Sequence, residues 1–497
     1  MNDSVALPEN GSVALPENGS VESTEKKANA WVSPEFKVSG LFASHMVLQR
    51  EKPIKIWGFS QNIGTKVAGH FMGETTTATI GEDNRFELVF SARPVCSEPQ
   101  VMVISDEFDH VVTFEDILVG DVWIIGGQSN AELHLSSCMQ LTPSVEFDEN
   151  DNFRLFYQAQ STAKARSFEI DYPEPDIVNP DWTWSRPDEK SSLSFSAIGW
   201  YFAKEMSKHI GVPLGIVMMA AGGACLRELM PTELANSLGY TKGANVRIAG
   251  YYDTLINPII PLLFKAQIYF QGESEGVWKN CADSYDTDLK AYFEDERRRF
   301  GQHFPVYNVQ LSSYGENCFN YFPSLDIVRV KQFDALSIIP DMTLTVDMDL
   351  GSPEGFDWAH SPRKLELAER LAKLALAKEY GVGAIVDAVS PRPICASLSE
   401  DKKEIVIDFT DLGTGLIVTG QDPKYSVGLS VGGFSVGPYE DRKPAEATIT
   451  SRGQVTVKVP EGADPIRVNY CFAIIPEPEL YNGNNLPCPA FSIKVSQ

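Results

Sequence analysis

Between Ile117 and Gly381 the chain switches repeatedly between two apolar patterns, and this alternation restricts the fold more than any other feature. Short continuous apolar runs read as buried strands: Asp121 to Gly126, Pro213 to Ala221, Lys265 to Phe270, Pro305 to Leu311 and Met342 to Asp347. Helical stripes stand between and after them. Ile198, Phe202, Met206 and Ile210 mark a helix over Phe195 to Ile210 that Gly211 ends. Tyr285 to Phe300 is an amphipathic helix closed by Gly301. A final helix has Ser361 at its N-cap, Pro362 in its first turn, apolar Leu365, Ala368, Leu371 and Ala375, and Gly381 past its end. Strands buried on both faces and separated by helices imply a mostly parallel sheet covered by helices on each side, a three-layer α/β/α domain.

The flanks have a different texture. From Lys37 to Asp116, short runs such as Ile54 to Trp57, Phe86 to Phe90 and Val101 to Ile104 are punctuated by Gly58, Gly73, Gly81 and Pro94. From Ala384 onward, Glu404 to Ile407, Gly415 to Val418 and Gln454 to Val459 repeat that pattern. Both regions read as β-sandwich-like modules. The expected division is therefore a leader over 1–36, a β module over 37–116, an α/β/α domain over 117–383 and a second β module over 384–497. The leader carries SVALPENG twice in tandem, from Ser4 to Gly11 and from Ser12 to Gly19, and reads as disordered.

Length and charge exclude some partners. At roughly 150 residues per domain, 497 residues suggest about three domains. A formal net charge of −25 argues against nucleic acid and anionic membrane as partners. No apolar run reaches the roughly 18 residues that a membrane span needs. Met1-Asn2-Asp3 opens without a basic stretch or an apolar segment, so a cytoplasmic protein or a mature exported form is expected. The eight cysteines are scattered without a CxxC pair, so buried free thiols are expected rather than a zinc site or a disulfide scaffold. Without HExxH or clustered His and Cys, no metal or other cofactor is expected.

Four motifs fall at strand ends or helix starts, where open parallel sheets bind ligands. Gly126-Gly127-Gln128-Ser129-Asn130 sets a serine on the tight turn after a strand. Gly222-Gly223 follows a second strand and can offer a backbone N–H to an oxyanion. Gln271-Gly272-Glu273-Ser274 follows a third and offers a side-chain amide. Asp357-Trp358-Ala359-His360 precedes the last helix and pairs a general base with a carboxylate that can fix its tautomer. Each alone is weak, because a loop serine, a plain glycine turn or a structural carboxylate explains it equally well. As an ordered set they supply a nucleophile, oxyanion donors and an oriented base. His45, His70, His110, His134, His209 and His303 have no such setting.

That order resembles the block order of the SGNH hydrolases, and more closely the sialate O-acetylesterases. His45-Met46-Val47-Leu48-Gln49-Arg50, Lys52-Pro53 and Trp57-Gly58 resemble the family's N-terminal signature. Gly120-Asp121-Val122-Trp123, Phe195-Ser196-Ala197, Val212-Pro213-Leu214-Gly215, Leu480-Tyr481-Asn482 and Leu486-Pro487 follow in the family's order. The resemblance covers nearly everything after the leader. It implies an SGNH-hydrolase-like α/β/α domain between β modules, hydrolysing O-acetyl esters of an O-acetylated carbohydrate, sialic acid in particular. Ser129 is then the nucleophile, His360 the base and Asp357 its orienter, with Asp347 or Asp349 as the alternative. The Ser129 N–H, Gly222, Gly223 and Gln271 form the oxyanion hole, and Gln128, Asn130, Arg227 and Glu273 contact substrate.

The chain departs from the family at positions that bear on substrate. Ala224-Cys225-Leu226-Arg227-Glu228-Leu229 replaces the run that usually follows the paired glycines. Ala131 stands where Met is frequent and Glu275 where Asn is common. Asp357 lies three residues before His360 instead of two, and Ser361 follows in place of Pro. An acetylesterase acting on acetylated xylan, and a carbohydrate-binding protein with a vestigial site, are the rival readings. Oligomeric state is not legible.

Overall fold

In a computed structural model the structure describes residues 33–142, 145–158, 172–241, 248–352, 354 and 356–496. Ser33–Gln497 forms one compact unit. The tandem repeat of the leader lies outside the described residues.

The organising element is a 17-residue strand, β1 (Val111–Gly127). Its first half pairs antiparallel with Cys96–Asp106, which pairs in turn with Lys66–Phe71. A second antiparallel set, Ile54–Phe59 with Arg85–Phe90, packs its apolar residues against these strands, and Phe71 meets Phe90 edge to face at 6.0 Å. The second half of β1 enters a parallel sheet with β2 (Phe153–Phe156), β3 (Leu214–Ala220), β4 (Ala266–Phe270), β5 (Val306–Gln310) and β6 (Met342–Val346). The order across these six strands is β2-β3-β1-β4-β5-β6, with every neighbouring pair among them parallel, and Trp184–Ser185 adds an antiparallel edge beside β2. The boundary expected at residue 117 thus falls inside one continuous strand.

The continuous apolar runs explain why these segments are central. Every residue of β2, β3, β4 and β5 is buried, which suits strands covered on both faces. Helices α1 (Ser129–Glu132), α2 (Ala197–Ser207), α3 (Lys279–Phe300), α4 (Leu325–Ala335) and α5 (Lys364–Tyr380) connect or follow the strands. Ser196 caps α2 by accepting the Gly199 N–H at 3.2 Å. The last helix starts later than its sequence suggests. Ser361 accepts the Arg363 N–H at 3.3 Å, and the helical hydrogen bonds begin only at Lys364. Ser361 and Pro362 therefore belong to the loop that carries His360.

The C-terminal strands form an eight-stranded sheet with a core of its own, which includes Ile405, Ile407, Val455, Val457, Tyr470 and Phe491. Val346 and Met348, at the end of β6, belong to that core. The eight cysteines are free; Cys395 is exposed, Cys96 half-buried and the others buried. Among the described residues no helix is long and apolar enough to cross a membrane.

Candidate active site

Strand β1 is flanked by β3 and β4, so the carboxyl ends of these three strands converge where the strand order reverses. The chain leaves β1 through Gly127, whose φ of +128° disfavours a side chain. A Cβ there would lie 2.0 Å from the Phe270 carbonyl oxygen, so the close approach of β1 to β4 also requires glycine. Gln128 follows in extended conformation and Ser129 opens α1. The Gln128 N–H donates to the Phe270 carbonyl at 3.0 Å, and its side-chain oxygen accepts the N–H groups of Gly272 at 3.3 Å and Ser274 at 3.2 Å. Gln128 therefore ties the turn bearing Ser129 to the loop after β4.

A cleft of about 500 Å³ opens here. Gln128, Ser129, Asn130, Gly222, Gly223, Glu273, Ser274, Ala359 and His360 line it with four aromatic residues, Tyr314, Tyr321, Phe322 and Trp358. Tyr321 is 61% exposed and stacks on Trp358 with ring centres 5.5 Å apart and planes 26° from parallel. Sequence patterning does not reveal this aromatic wall, because Tyr321 ends a one-turn helix, Cys318–Tyr321, and Phe322 follows it, in a stretch with no motif.

His360 Nδ1 lies 2.7 Å from Asp357 Oδ2. Partial burial raises the Asp357 carboxyl, but hydrogen bonds from His360 and from the Ala359 N–H at 2.9 Å outweigh it and hold the group below the ordinary carboxylate value. With Asp357 ionised, Nδ1–H is the donor and Nε2 remains as the acceptor. The other two carboxylates considered for this role are elsewhere. Asp349 binds the Arg370 guanidinium through both oxygens, at 2.7 and 2.6 Å. Asp347 is buried, and burial pushes its carboxyl up to about 7.

Asn130 is 1% exposed and its polar atoms are engaged. Its amide donates to Glu273 Oε1 at 2.7 Å and to the Ala359 carbonyl at 3.1 Å, and its oxygen accepts from Lys364 Nζ at 2.9 Å. Glu273 Oε1 also accepts from the Tyr314 hydroxyl at 2.8 Å. Asn130 therefore fastens the His360 loop to the loop after β4 and to the first turn of α5. Lys364, unremarked in the sequence, completes this buried set.

Three sequence expectations meet a different geometry. Gln271 is fully buried and absent from the cleft lining. Its amide nitrogen donates towards Gln128 Oε1, the Ala224 carbonyl and Glu275 Oε2, which leaves no hydrogen for an oxyanion. Gly222 lines the cleft, but its N–H donates to Glu132 Oε2 at 2.7 Å. Arg227 is also outside the lining and lies 4.8 Å over the Trp278 ring. Glu132, which the sequence reading passed over, is half-buried, and burial pushes its carboxyl up to about 7 against the Gly222 N–H and the charge of His360. Its position three residues after Ser129 on a one-turn helix is the signal that could have found it.

The description "Carbohydrate esterase, sialic acid-specific acetylesterase" matches residues 119–377, more than half of the chain. The chain belongs to this family. It is a carboxylic-ester hydrolase of mixed α/β fold with several sheets. It is similar to human sialate O-acetylesterase, 23% identical over 381 residues that cover 70% of this chain and 71% of the human protein. The mouse sialate O-acetylesterase is 24% identical over 409 residues, covering 70% and 74%. Among solved structures, a carbohydrate acetylesterase from Xanthomonas citri superposes with a TM-score of 0.77 at 25% identity, covering 92% of this chain and 99% of its own.

Proposed function

We propose that the protein hydrolyses O-acetyl esters of a carbohydrate through Ser129, His360 and Asp357. The observation that carries this reading is the 2.7 Å bond between His360 and Asp357 in the cleft that Ser129 also lines. A serine hydroxyl is a poor nucleophile until a base takes its proton. His360 Nε2 accepts that proton as Ser129 Oγ attacks the acetyl carbonyl, and Asp357 stabilises the imidazolium that forms. The Ser129 N–H and the glycine turn after β3 hold the oxyanion. His360 then returns the proton to the leaving sugar hydroxyl. In the second half-reaction it takes a proton from the water that cleaves the acetyl-enzyme, releasing acetate.

The same reading assigns the centre of the chain to the SGNH three-layer α/β/α arrangement, with β-sandwich-like modules on either side. The parallel sheet, its reversal at β1 and the convergence of three loops at the strand ends support it.

An O-acetylated sialic acid is the substrate that the family description names. The aromatic wall favours a second reading, an acetylated neutral polysaccharide. Stacked Tyr321 and Trp358 offer ring faces to the apolar face of a pyranose. The described lining residues include neither lysine nor arginine to balance a sialate carboxylate. Acetate release from O-acetylated sialic acid and from acetylated xylan, each with wild type and Ser129→Ala, tests both. Turnover of either substrate that vanishes in the variant supports the mechanism, and the preferred substrate decides the reading. A wild type inert on both, though folded, rejects it.

A further inference from the structure

The turn that follows β3 is held from two sides, and one of its clamps is a carboxylate. The Ala224 N–H donates to the Ala221 carbonyl at 3.1 Å, and Gly223 has a φ of +73°. A closed turn with positive φ at its third residue has the type II pattern, in which the central peptide can flip against its type I alternative. Here that peptide joins Gly222 to Gly223, and a flip would exchange its N–H for a carbonyl oxygen. The peptides on either side are fastened. Glu132 Oε2 accepts the Gly222 N–H at 2.7 Å, and the Ser274 hydroxyl donates to the Gly223 carbonyl at 3.1 Å. The Gly223 N–H, carried by the central peptide, has no hydrogen-bond partner among the described residues. A Cβ at Gly223 would meet nothing within 4 Å, so this corner of the turn faces open space in the cleft.

We infer that Glu132 is a positioning residue for the oxyanion site: by holding the Gly222 N–H it fixes the turn so that the Gly223 N–H is the donor offered to the reacting carbonyl. The inference rests on the acetylesterase reading. A backbone N–H has one hydrogen, and a charge-assisted bond of 2.7 Å commits it. Gly222 is thereby the anchored residue of the pair and Gly223 the free one. The carboxylate also faces His360, whose charge acts on it through the same cleft. Tyr157 also faces it, its hydroxyl raised by burial and then by the Glu132 charge. Tyr157 lies 3.3 Å from His134 Nε2, and burial lowers the proton affinity of that imidazole.

Two substitutions separate positioning from a plain structural role, with p-nitrophenyl acetate as the probe beside the acetylated sugar. Glu132→Ala removes the anchor and is expected to lower kcat by about a hundredfold, the loss typical of one oxyanion donor, with a smaller change in KM. Glu132→Gln keeps an oxygen that can accept the Gly222 N–H and is expected to retain kcat within about tenfold. A Glu132→Ala variant within a few-fold of wild type, or faster, overturns the inference; a faster one marks the carboxylate as an obstruction. So does a Glu132→Gln variant as slow as Ala. Should Ala not fold, the kcat of the Gln variant decides alone. Wild-type turnover that Ser129→Ala abolishes while both Glu132 variants leave it intact removes this inference and keeps the acetylesterase reading.

Discussion

At the scale of single residues, the site divides into groups that meet substrate and groups that hold them. Ser129→Ala should lower kcat by at least about a thousandfold on any acetyl ester, since the oxyanion donors alone retain only a residual rate. Asp357→Asn should lower kcat by about 10²- to 10⁴-fold with little change in KM, measured by steady-state kinetics, because it no longer fixes the His360 tautomer. Asn130 illustrates the holding role. Its replacement by alanine would strip Lys364 and Glu273 of a shared buried partner. A loss of about 1–3 kcal/mol is expected, read as a fall in the denaturant midpoint, along with slower turnover. Sequence exposes the first class better than the second. Ser129, Asp357 and His360 stand in a recognisable order because the proposed reaction demands those residue types. Gln271 looked like a donor for the same reason, yet its amide is consumed by Gln128, Ala224 and Glu275. A motif fixes which atoms are available, whereas the competing acceptors come from loops distant in sequence.

At the scale of elements, strand ends were legible and loops were not. The buried runs of β3 and β5 differ from their sequence expectation by a residue at each end, and β4 by a residue at its start, as continuous apolar patterning allows. The helix after His360 shows the limit. Ser361-Pro362 has the composition of a helix start, but Arg363 and Asn130 hold that stretch in the loop. The turn at Gly127 makes a sharper prediction. Gly127→Ala puts a methyl group 2.0 Å from the Phe270 oxygen at a φ that favours glycine, so β1 must part from β4. Lower thermal stability and loss of turnover are expected together, measured by calorimetry and initial rates. Tyr321→Ala, on the exposed rim, is expected to raise KM for an acetylated oligosaccharide several-fold while the protein keeps its melting temperature.

At the scale of the whole molecule, burial of acids sets the response to pH. Glu296 is buried in α3, and burial pushes its carboxyl up to about 8 despite the Tyr292 hydroxyl, which donates at 2.7 Å. A carboxyl raised in the folded state binds its proton there over a range where the unfolded chain has released it. Its contribution to stability is full below the unfolded value of about 4.3 and is lost as pH rises through about 8. Glu296→Gln, which cannot ionise, should therefore gain on wild type as pH increases from about 5 to 8. Melting temperatures of the two proteins measured across that range check it, and parallel curves would refute it.

The continuity of β1 has a consequence for how such a chain can be divided or recombined. Its first half belongs to the antiparallel strands and its second half delivers Ser129. A cut at the texture change near residue 117 would not release a portable cassette, because the fragment with Ser129 would begin in mid-strand with its amino half unpaired. Exchange of the amino-terminal module between homologues is workable only if the crossover lies before Val111 and Cys96–Asp106 is matched to its new neighbour. The seam visible in composition is thus the poorest place to join two parents.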